Sequence, residues 1–561
     1  MTDNINLTQE LIRHYGRKRT SPRCLLKVDF KKAFDSVQWP FLRSLLHLLG
    51  FPQRFVNLVM LCVETSSYSV AVNGNLYGFF PGKCGVRQGD PLSPYLFLIC
   101  MEYFSRMLGM ASQQHAFHFH PKCAPHHICH LAFADDVLLL CRGDVSSVQI
   151  LVEQLHAFGR ASGLHINAAK SFIYFGGVGD SLKHTILQAS GFSEGSFPFK
   201  YLGVPLSPHR LLASQFYPLL HQLETAIQSW MGKNLSYAGR LELIGSVLFG
   251  MVHFWLNVFP MPESVINRIT CLCRTFLWTG TTVRTMSALV AWKSVCLPKA
   301  EGGLGLYDIK ARNNCFLVKQ LWNIHLKADS IWIRWVHHFY LQNMNIWTVP
   351  LQQTSSPLWK SFIKLRDRLL DDCGGQPAVI SLLQSWNTAQ LFSANAYEYL
   401  RPKGTPVPWV HVVWESWCLP RHSFILWLTL LKRLRTKNRL RFIDIDVSCV
   451  FCQDHEESHA HLFFACNWTS TLWMKVKSWL RLNRGMTTIN SAVRGLHLKG
   501  KAAVTRMKRV SLSIVVYLIW EERNRRVFEN YCSPVEPLFR RFQVLFYMIL
   551  RFHQRDLPIP I

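Results

Sequence analysis

Three aspartates and one cysteine–histidine group are the residues of this chain best suited to chemistry. Asp135 and Asp136 sit side by side in HLAFADDVLLLC (130–141), in the middle of an otherwise apolar run. A buried, unpaired carboxylate is very costly, and two adjacent ones also repel each other. Either the segment turns out into solvent or a cation meets them there. Asp29 stands in a similar setting in CLLKVDFKKAFDSVQW (24–39). If the two segments are neighbours, their carboxylates offer hard oxygen ligands to a pair of Mg²⁺ ions, with positions left for phosphates and water. Further on, CVFCQDHEESHAHLFFAC (449–466) sets Cys449 and Cys452 at C-x2-C spacing ahead of Cys466, with His455, His459 and His461 as candidates for a remaining ligand. Two thiolates in a tight knuckle plus two further ligands make a tetrahedral Zn²⁺ site.

The elements that must position these groups are readable around them. In 24–30 the alternation puts Leu26, Val28 and Phe30 on one side of a strand, with Lys27 and Asp29 on the other. A helix follows, with Pro40 in its first turn and Gly50 just past its end. Leu131 and Phe133 before the aspartates, and Val137 and Leu139 after them, predict two short strands joined by a tight turn that carries both carboxylates at its tip. GKCGVRQGDPLSPYLFLICMEYFSRML (82–108) predicts a glycine-rich loop entering a helix, with Ser93 as cap, Pro94 at the first position and Leu96, Cys100, Tyr103 and Met107 as the apolar stripe. Gly85 and Gly89 allow close backbone approach, and Arg87 and Gln88 offer donors to a nucleotide or template base.

At 561 residues, 49% of them hydrophobic, the chain has material for several cores and is not a disordered tract. Its formal charge of +28 points to a polyanionic partner, nucleic acid first. The start is polar and then basic, with no secretory signal. Seventeen cysteines in so long a chain fit a reducing compartment, with a few available to bind metal. Leu243–Met261 is the longest uncharged apolar stretch, near the roughly 20 residues that span a bilayer. Gly245, Gly250, His253 and Asn257 interrupt it, so a buried core helix is expected and no membrane span. HAFHFHPKCAPHHICH (115–130) is irregular and broken by prolines, which reads as a loop rather than a metal site. LPRHSFILWLTLLKRLRTKNRLRF (419–442) reads as an amphipathic basic helix. Basic and aromatic residues interleave from 421 to 442 and from 501 to 551, a pattern suited to phosphate contacts and base stacking.

VDFKKAFDSV, GVRQGDPLSP and FADD, in this order, resemble the palm motifs of reverse transcriptases of non-LTR (LINE-type) retrotransposons. The similarity continues through SGLHINAAKS (162–171), FKYLGVPL (199–206), WKSVCLPKAEGGLG (292–305) and the Cys/His cluster, which resembles the zinc-binding domain of the plant-type elements. The resemblance implies an α+β chain: a palm with incomplete fingers over 1–205, a helical thumb and connecting region over 206–390, a zinc-binding domain over 391–476 and a basic helical tail over 477–561. It implies an RNA-directed DNA polymerase using two Mg²⁺, with Asp29 and Asp135 as main ligands and Asp136 as the supporting carboxylate. One metal would ease deprotonation of a primer 3′-hydroxyl and the other would stabilise the leaving pyrophosphate. Phe30, Phe34, Arg87, Gln88 and Gly89 fall on the nucleotide and template side, Phe34 as the gate against a ribose 2′-hydroxyl. Lys170 matches the lysine that protonates the leaving group, and Phe199 to Gly203 the turn that grips the primer end. One Zn²⁺ is implied at Cys449, Cys452, His461 and Cys466. The implied partners are an RNA template, a DNA primer or target and deoxynucleoside triphosphates, inside the cell in nucleus or cytoplasm. Fewer than 30 residues precede Asp29, and neither an endonuclease nor a ribonuclease H pattern flanks the polymerase motifs, so a truncated copy of reduced activity is expected. The rival reading is a silent nucleic-acid-binding remnant. A group II intron maturase shares the palm motifs, but the zinc cluster and the long helical middle argue against it.

Overall fold

The computed structural model describes residues 1–17, 20–283, 287–387, 392–440, 445–483, 485–496 and 502–553. The fold is mixed α+β and divides into two compact units, Met1–Gln215 with Leu317–Leu383, and Phe216–Phe316 with Gln384–Ile561.

The first unit is built on a sheet of β1 (Arg23–Val28), β4 (His130–Phe133), β5 (Asp136–Arg142), β6 (Phe172–Gly176) and β7 (Ser193–Glu194), in the order β4-β5-β1-β6-β7. Hairpins β2 (Ser67–Val72) with β3 (Asn75–Pro81), and β8 (Phe199–Tyr201) with β9 (Val204–Leu206), stand apart from it. β1 is central and runs antiparallel to β5 and β6, with Cys24 opposite Cys141, Leu26 opposite Leu139 and Val28 opposite Val137. Because side chains alternate, these pairs share one face with Ile173 and Phe175. They form one core with the helices Trp39–Leu48, Gln53–Glu64, Ser93–Ala111 and Val145–Ser162. Leu25, Leu138 and Leu140, on the other face, are buried too. There Asn4, in the N-terminal helix Thr2–Leu11, donates to the Ala132 carbonyl, and Phe199 packs on Tyr174 with ring centroids 4.5 Å apart. A strand buried on both faces reads as a continuous apolar run, which is why VLLLC lacks alternation.

Several expectations need correction here. Ser93 does not cap its helix: it is a buried first-turn residue. The Asp90 carboxylate, accepting from the Leu92 N–H at 2.9 Å, organises the entry instead. The buried stripe of that helix is Leu96, Phe97, Cys100, Met101, Phe104 and Leu108; Tyr103 and Met107 are half-buried at its margin, because the sheet meets the helix one position round from the expected face. Phe133 is exposed, since the sheet ends at the turn that follows it.

The second unit is helical among its described residues, with helices grouped around Ala503–Phe528. The region 206–390 is not one compact unit, because 317–383 packs with the first. Nor is 477–561 a separate tail. Helix Ala503–Phe528 is buried along most of its length and packs against Pro420–Leu430 and Val535–His553. Its arginines find buried carboxylates, Arg509 with Glu415 at 2.7 Å, Arg523 with Glu457 at 2.8 Å and Arg526 with Glu522 at 3.0 Å. Among the described residues of 419–442 only Pro420–Leu430 is a regular α-helix, and it is a core helix rather than an amphipathic surface one. The end of that basic stretch (441–442), residue 501 and the expected boundary at 390–391 lie outside the described residues. Tyr237–Val258 is long and apolar enough to cross a membrane by length and composition. It buries one stripe, Ile244, Leu248, Phe249, Val252, Trp255 and Leu256, against its own unit.

Candidate active site and zinc site

The aspartates fall where the sheet register sends them. β4 ends at Phe133 and β5 begins at Asp136, which pair across a two-residue turn of Ala134 and Asp135. Ala134 holds φ +52°, a left-handed conformation that costs a residue with a Cβ about 1–2 kcal/mol and is often retained at functional turns. The β1–β5 register ends at Val28 opposite Val137, so Asp29 and Asp136 are the residues just beyond the paired stretch at this edge. Asp29 is fixed by the loop after Ile166. Its N–H donates to Ser171 Oγ at 3.1 Å, and its carbonyl accepts from the Asn167 N–H at 2.8 Å. Asn167 Nδ2 donates to Asp29 Oδ2 at 3.1 Å, and Ser171 Oγ donates back to the Asn167 carbonyl at 2.9 Å. Asn167 and Ser171 were not singled out from sequence, although both stand inside SGLHINAAKS. Lys170 ends the short 3₁₀ turn Ala168–Lys170 in the same loop, its side chain exposed.

The electrostatics place the carboxylates in one another's field. The Asp136 pKa is raised above the ordinary carboxylate value by burial first, then by Asp135; Asp29 adds to the rise, while Lys27 and Lys200 oppose it. Lys200 belongs to β8, so the 199–206 hairpin reaches the same locality. Like charges gathered on a half-buried edge are unfavourable unless a cation joins them. The donor set, carboxylate oxygens at a solvent-facing turn, has the chemistry a hard divalent cation selects, but among the described residues the three carboxylates are not drawn together within the 4.8 Å that gathers the zinc group.

The GVRQGD loop is pinned beside the segment after β1. Gly85 N–H donates to the Val37 carbonyl and Val86 N–H to the Phe34 carbonyl, both at 2.7 Å. Trp39 Nε1 donates to the Gly85 carbonyl at 2.8 Å. Gly85 sits at φ +87°, and a Cβ there would lie 2.7 Å from the Asp35 carbonyl oxygen, so only glycine fits. Arg87, Gln88 and Gly89 are exposed. Arg87 pairs with Asp90 at 2.7 Å, a surface pair worth at most about 1 kcal/mol and therefore easily exchanged for a ligand. Phe34 is half-buried and stacked on Phe97, centroids 4.7 Å apart. Phe30 departs from expectation: it is 6% exposed and packs edge-on against Phe104 and Phe158, so its side chain belongs to the core and not to the nucleotide side.

In the second unit, the ligand atoms of Cys449, Cys452, His461 and Cys466 all lie within 4.8 Å of one another. Cys449 N–H donates to the His455 carbonyl at 2.7 Å, closing the knuckle that presents Cys449 and Cys452. His461 opens the π-turn His461–Ala465, and Cys466 caps the helix Asn467–Trp479. The sulfurs of Cys449 and Cys466 are 4.0 Å apart, and Cys452 Sγ is 3.3 Å from His461 Nε2. Zinc–sulfur bonds of about 2.3 Å in a tetrahedron imply edges of roughly 3.8 Å, so the group fits a zinc ion. His459 stands outside it, half-buried beside Thr436 Oγ1 at 3.3 Å, with desolvation lowering its pKa to about 4. His455 stacks on His461 at 5.1 Å and approaches Cys452 and Asp454 in a neighbouring group.

Comparison with known proteins bears on both units. The reverse transcriptase (RNA-dependent DNA polymerase) family model matches residues 2–206, and the model for zinc-binding in reverse transcriptase matches 392–473. The uncharacterized 149 kDa protein of transposon TX1 from Xenopus laevis is 29% identical over 61% of this chain and 26% of its own length. The retrovirus-related Pol polyprotein of a type-2 retrotransposable element of Drosophila melanogaster is 26% identical over 59% of this chain and 31% of its own. Residues 2–206 thus carry a reverse transcriptase domain and 392–473 its zinc-binding companion, with relatives among transposon and retrotransposable-element proteins. An Arabidopsis thaliana protein carrying a provisional ribonuclease H name is 32% identical over 33% of this chain and 30% of its own length. The matched part thus spans less than a third of each of these relatives. A solved telomerase of Candida albicans, in complex with a fragment of telomeric RNA, overlaps 72% of this chain and 53% of that one at 13% identity. Its TM-score of 0.31 is too low to bear on fold or function.

Proposed function

We propose that the chain is the RNA-directed DNA polymerase of a LINE-type retrotransposon, acting at Asp29, Asp135 and Asp136. The observation that supports the reading is that Asp29 and Asp136 lie directly beyond the last β1–β5 pair, Val28 opposite Val137, with Asn167 holding the Asp29 carboxylate. Asp29 and Asp135 are the residues that would hold two Mg²⁺, with Asp136 in support. Bound Mg²⁺ supplies Lewis acidity toward a primer hydroxyl and charge neutralisation at a triphosphate. The chain's own residues do the positioning on which phosphoryl transfer depends. Arg87, Gln88 and Gly89 present donors on a loop anchored through Gly85, and Phe34 forms a wall stiffened by Phe97. Lys170 is the proton donor to the leaving group, on the loop that orients Asp29. The 199–206 hairpin, through Lys200, lies on the primer side. The four-part division into palm with partial fingers, thumb, zinc-binding segment and basic tail is the family's, with the packing differences described above. Cys449, Cys452, His461 and Cys466 would hold one Zn²⁺ as a closed structural site, and metal bound there adds folding free energy. The net charge of +28 supports RNA template and DNA primer as partners.

The test is primer extension on an RNA template with deoxynucleoside triphosphates. Mg²⁺-dependent extension, abolished by Asp135→Asn with template binding retained, is the expected result. Salt-dependent RNA binding without extension in any divalent metal would instead support a silent nucleic-acid-binding remnant.

A further inference from the structure

The histidine-rich segment 115–130 has no part in the carboxylate site, and among the described residues none of its histidines joins a metal-ligand group. His118 lies 3.5 Å from Asp144, His120 is buried against Tyr15, and His130 is 2.9 Å from Ser105 Oγ. His126 does something different. It lines a cavity of about 740 Å³ in the first unit, together with residues of 324–346.

The backbone around this cavity is unusual. Lys327 turns the chain at φ +52° after the helix that ends at His325. Helix Ile331–Val336 then runs into the π-turn His337–Leu341, closed by Gln342 at φ +46° and Asn343 at φ +73°. π-turns and left-handed residues other than glycine are costly locally and recur at ligand sites.

The wall is rich in donors. Lys327 and Arg334 are exposed cations, and among the described residues no aspartate or glutamate lines the cavity. Trp347 Nε1 donates to His325 Nδ1 at 3.1 Å, which puts the His325 proton on Nε2 and leaves a free donor. Asn345 Oδ1 accepts from the Trp347 N–H at 3.1 Å, leaving its amide NH₂ to donate. His126 Nε2 has no partner, and its ring meets His338 edge-on at 5.2 Å. The pKa of His126 is lowered by burial first, then by His338 and Arg334, as befits cationic groups without a counter-charge. Ile324, Ile333, Met344 and Ile346 supply apolar wall beside the donors.

Clustered cations and donors without a carboxylate select an anion with several acceptor oxygens, and arginine matches phosphoryl geometry in particular. The cavity lies in the size range of small-ligand sites, roughly 300–1,000 Å³, room for a nucleotide unit rather than a lone ion. We propose that it binds a phosphoryl group of a nucleic-acid strand, either an internal phosphodiester or a 5′-terminal phosphate, with the attached nucleoside against the apolar wall. This rests on the polymerase reading above, and it adds a nucleic-acid contact through residues distinct from the carboxylate site.

The test uses the full chain, a single-stranded RNA 20-mer with either a 5′-phosphate or a 5′-hydroxyl, and the double variant Lys327→Ala/Arg334→Ala. Each phosphate contact on a single strand contributes about 0.7 to the slope of log affinity against log salt. The double variant should therefore lose about 0.7 of that slope for a single phosphodiester and bind about ten-fold more weakly, with zinc content and thermal midpoint unchanged. A preference of the unmodified chain for 5′-phosphate RNA, lost in the variant, identifies a terminal phosphate. Equal weakening for both RNAs identifies an internal phosphodiester. An unchanged slope and affinity overturns the proposal while leaving the polymerase reading intact, whereas an unmodified chain without salt-dependent RNA binding removes the polymerase reading itself. Should the variant fold poorly, carbethoxylation of the unmodified chain decides: RNA should protect His126 and His338 several-fold, and no protection overturns the proposal.

Discussion

Replacing Asp136 by asparagine tests the electrostatic reading of the carboxylate turn. Asp135 and then Asp29 are the carboxylates that add to the rise at Asp136, and the Cα atoms of facing residues on antiparallel strands, such as those following Val28 and preceding Val137, lie roughly 4.5–5.5 Å apart. Two like charges at about 5 Å repel by about 1 kcal/mol in a water-like dielectric and about 3 kcal/mol at an effective dielectric constant of 20. Asp136 is half-buried and flanked by Lys27 and Lys200, so the lower end applies. Its folded pKa is raised, so ionisation favours the unfolded state. That penalty is absent below the unfolded value of 3.8, grows as pH rises through the folded pKa, and is fully present at neutral pH. Without metal at pH 7, Asp136→Asn should thus raise the thermal midpoint of the first unit by roughly 2–4 °C, the shift expected from about 1 kcal/mol in a domain of this size. The gain should fade toward pH 4. Mg²⁺ should stabilise the unmodified chain and stabilise the variant less, since one ligand is gone. Differential scanning calorimetry with chelator or Mg²⁺ reads all three effects. A metal-free variant that melts lower at pH 7, or equal Mg²⁺ stabilisation of both proteins, would refute the reasoning.

Other changes probe the supporting structure. Asn167→Ala removes a charge-assisted hydrogen bond worth about 1.5–3 kcal/mol from Asp29; extension should slow at least ten-fold and need more Mg²⁺, as a Mg²⁺ titration of initial rates would show. His461→Ala should lose zinc, measured by atomic absorption, whereas His459→Ala should keep it, because only His461 lies among the three sulfurs. Glu457→Ala leaves buried Arg523 without its carboxylate and should destabilise the second unit by about 3–5 kcal/mol, measured by urea unfolding.

The hairpin was legible because adjacent aspartates interrupt an apolar run, a pattern that requires a turn. Strand β1 was legible by alternation, and alternation also put Phe30 with Leu26 and Val28 on the apolar side. The structure follows that local pattern and not the nucleotide-side role drawn from family position. Asn167 and Ser171 were not legible, since they meet Asp29 across 138 and 142 residues of sequence and nothing local ties them to it. The same distance problem hid the true character of Ala503–Phe528. Its arginines read as a basic surface face, yet Arg509 and Arg523 are neutralised by Glu415 and Glu457 from distant segments, which lets the helix be buried. The Cys/His group was legible because most of its ligand spacing is local; spacing alone left three histidines open, the resemblance singled out His461, and the π-turn His461–Ala465 is the local structure that presents it.

The central claim is that Asp29, Asp135 and Asp136 form one divalent-metal site. Its most direct test is Mn²⁺ binding by electron paramagnetic resonance, with Mn²⁺ standing in for Mg²⁺, on the zinc-loaded full chain and on Asp29→Asn and Asp135→Asn. The account predicts Mn²⁺ bound by the unmodified chain, displaced by excess Mg²⁺, and bound at least ten-fold more weakly by each variant. Equal Mn²⁺ affinity in all three proteins would contradict it.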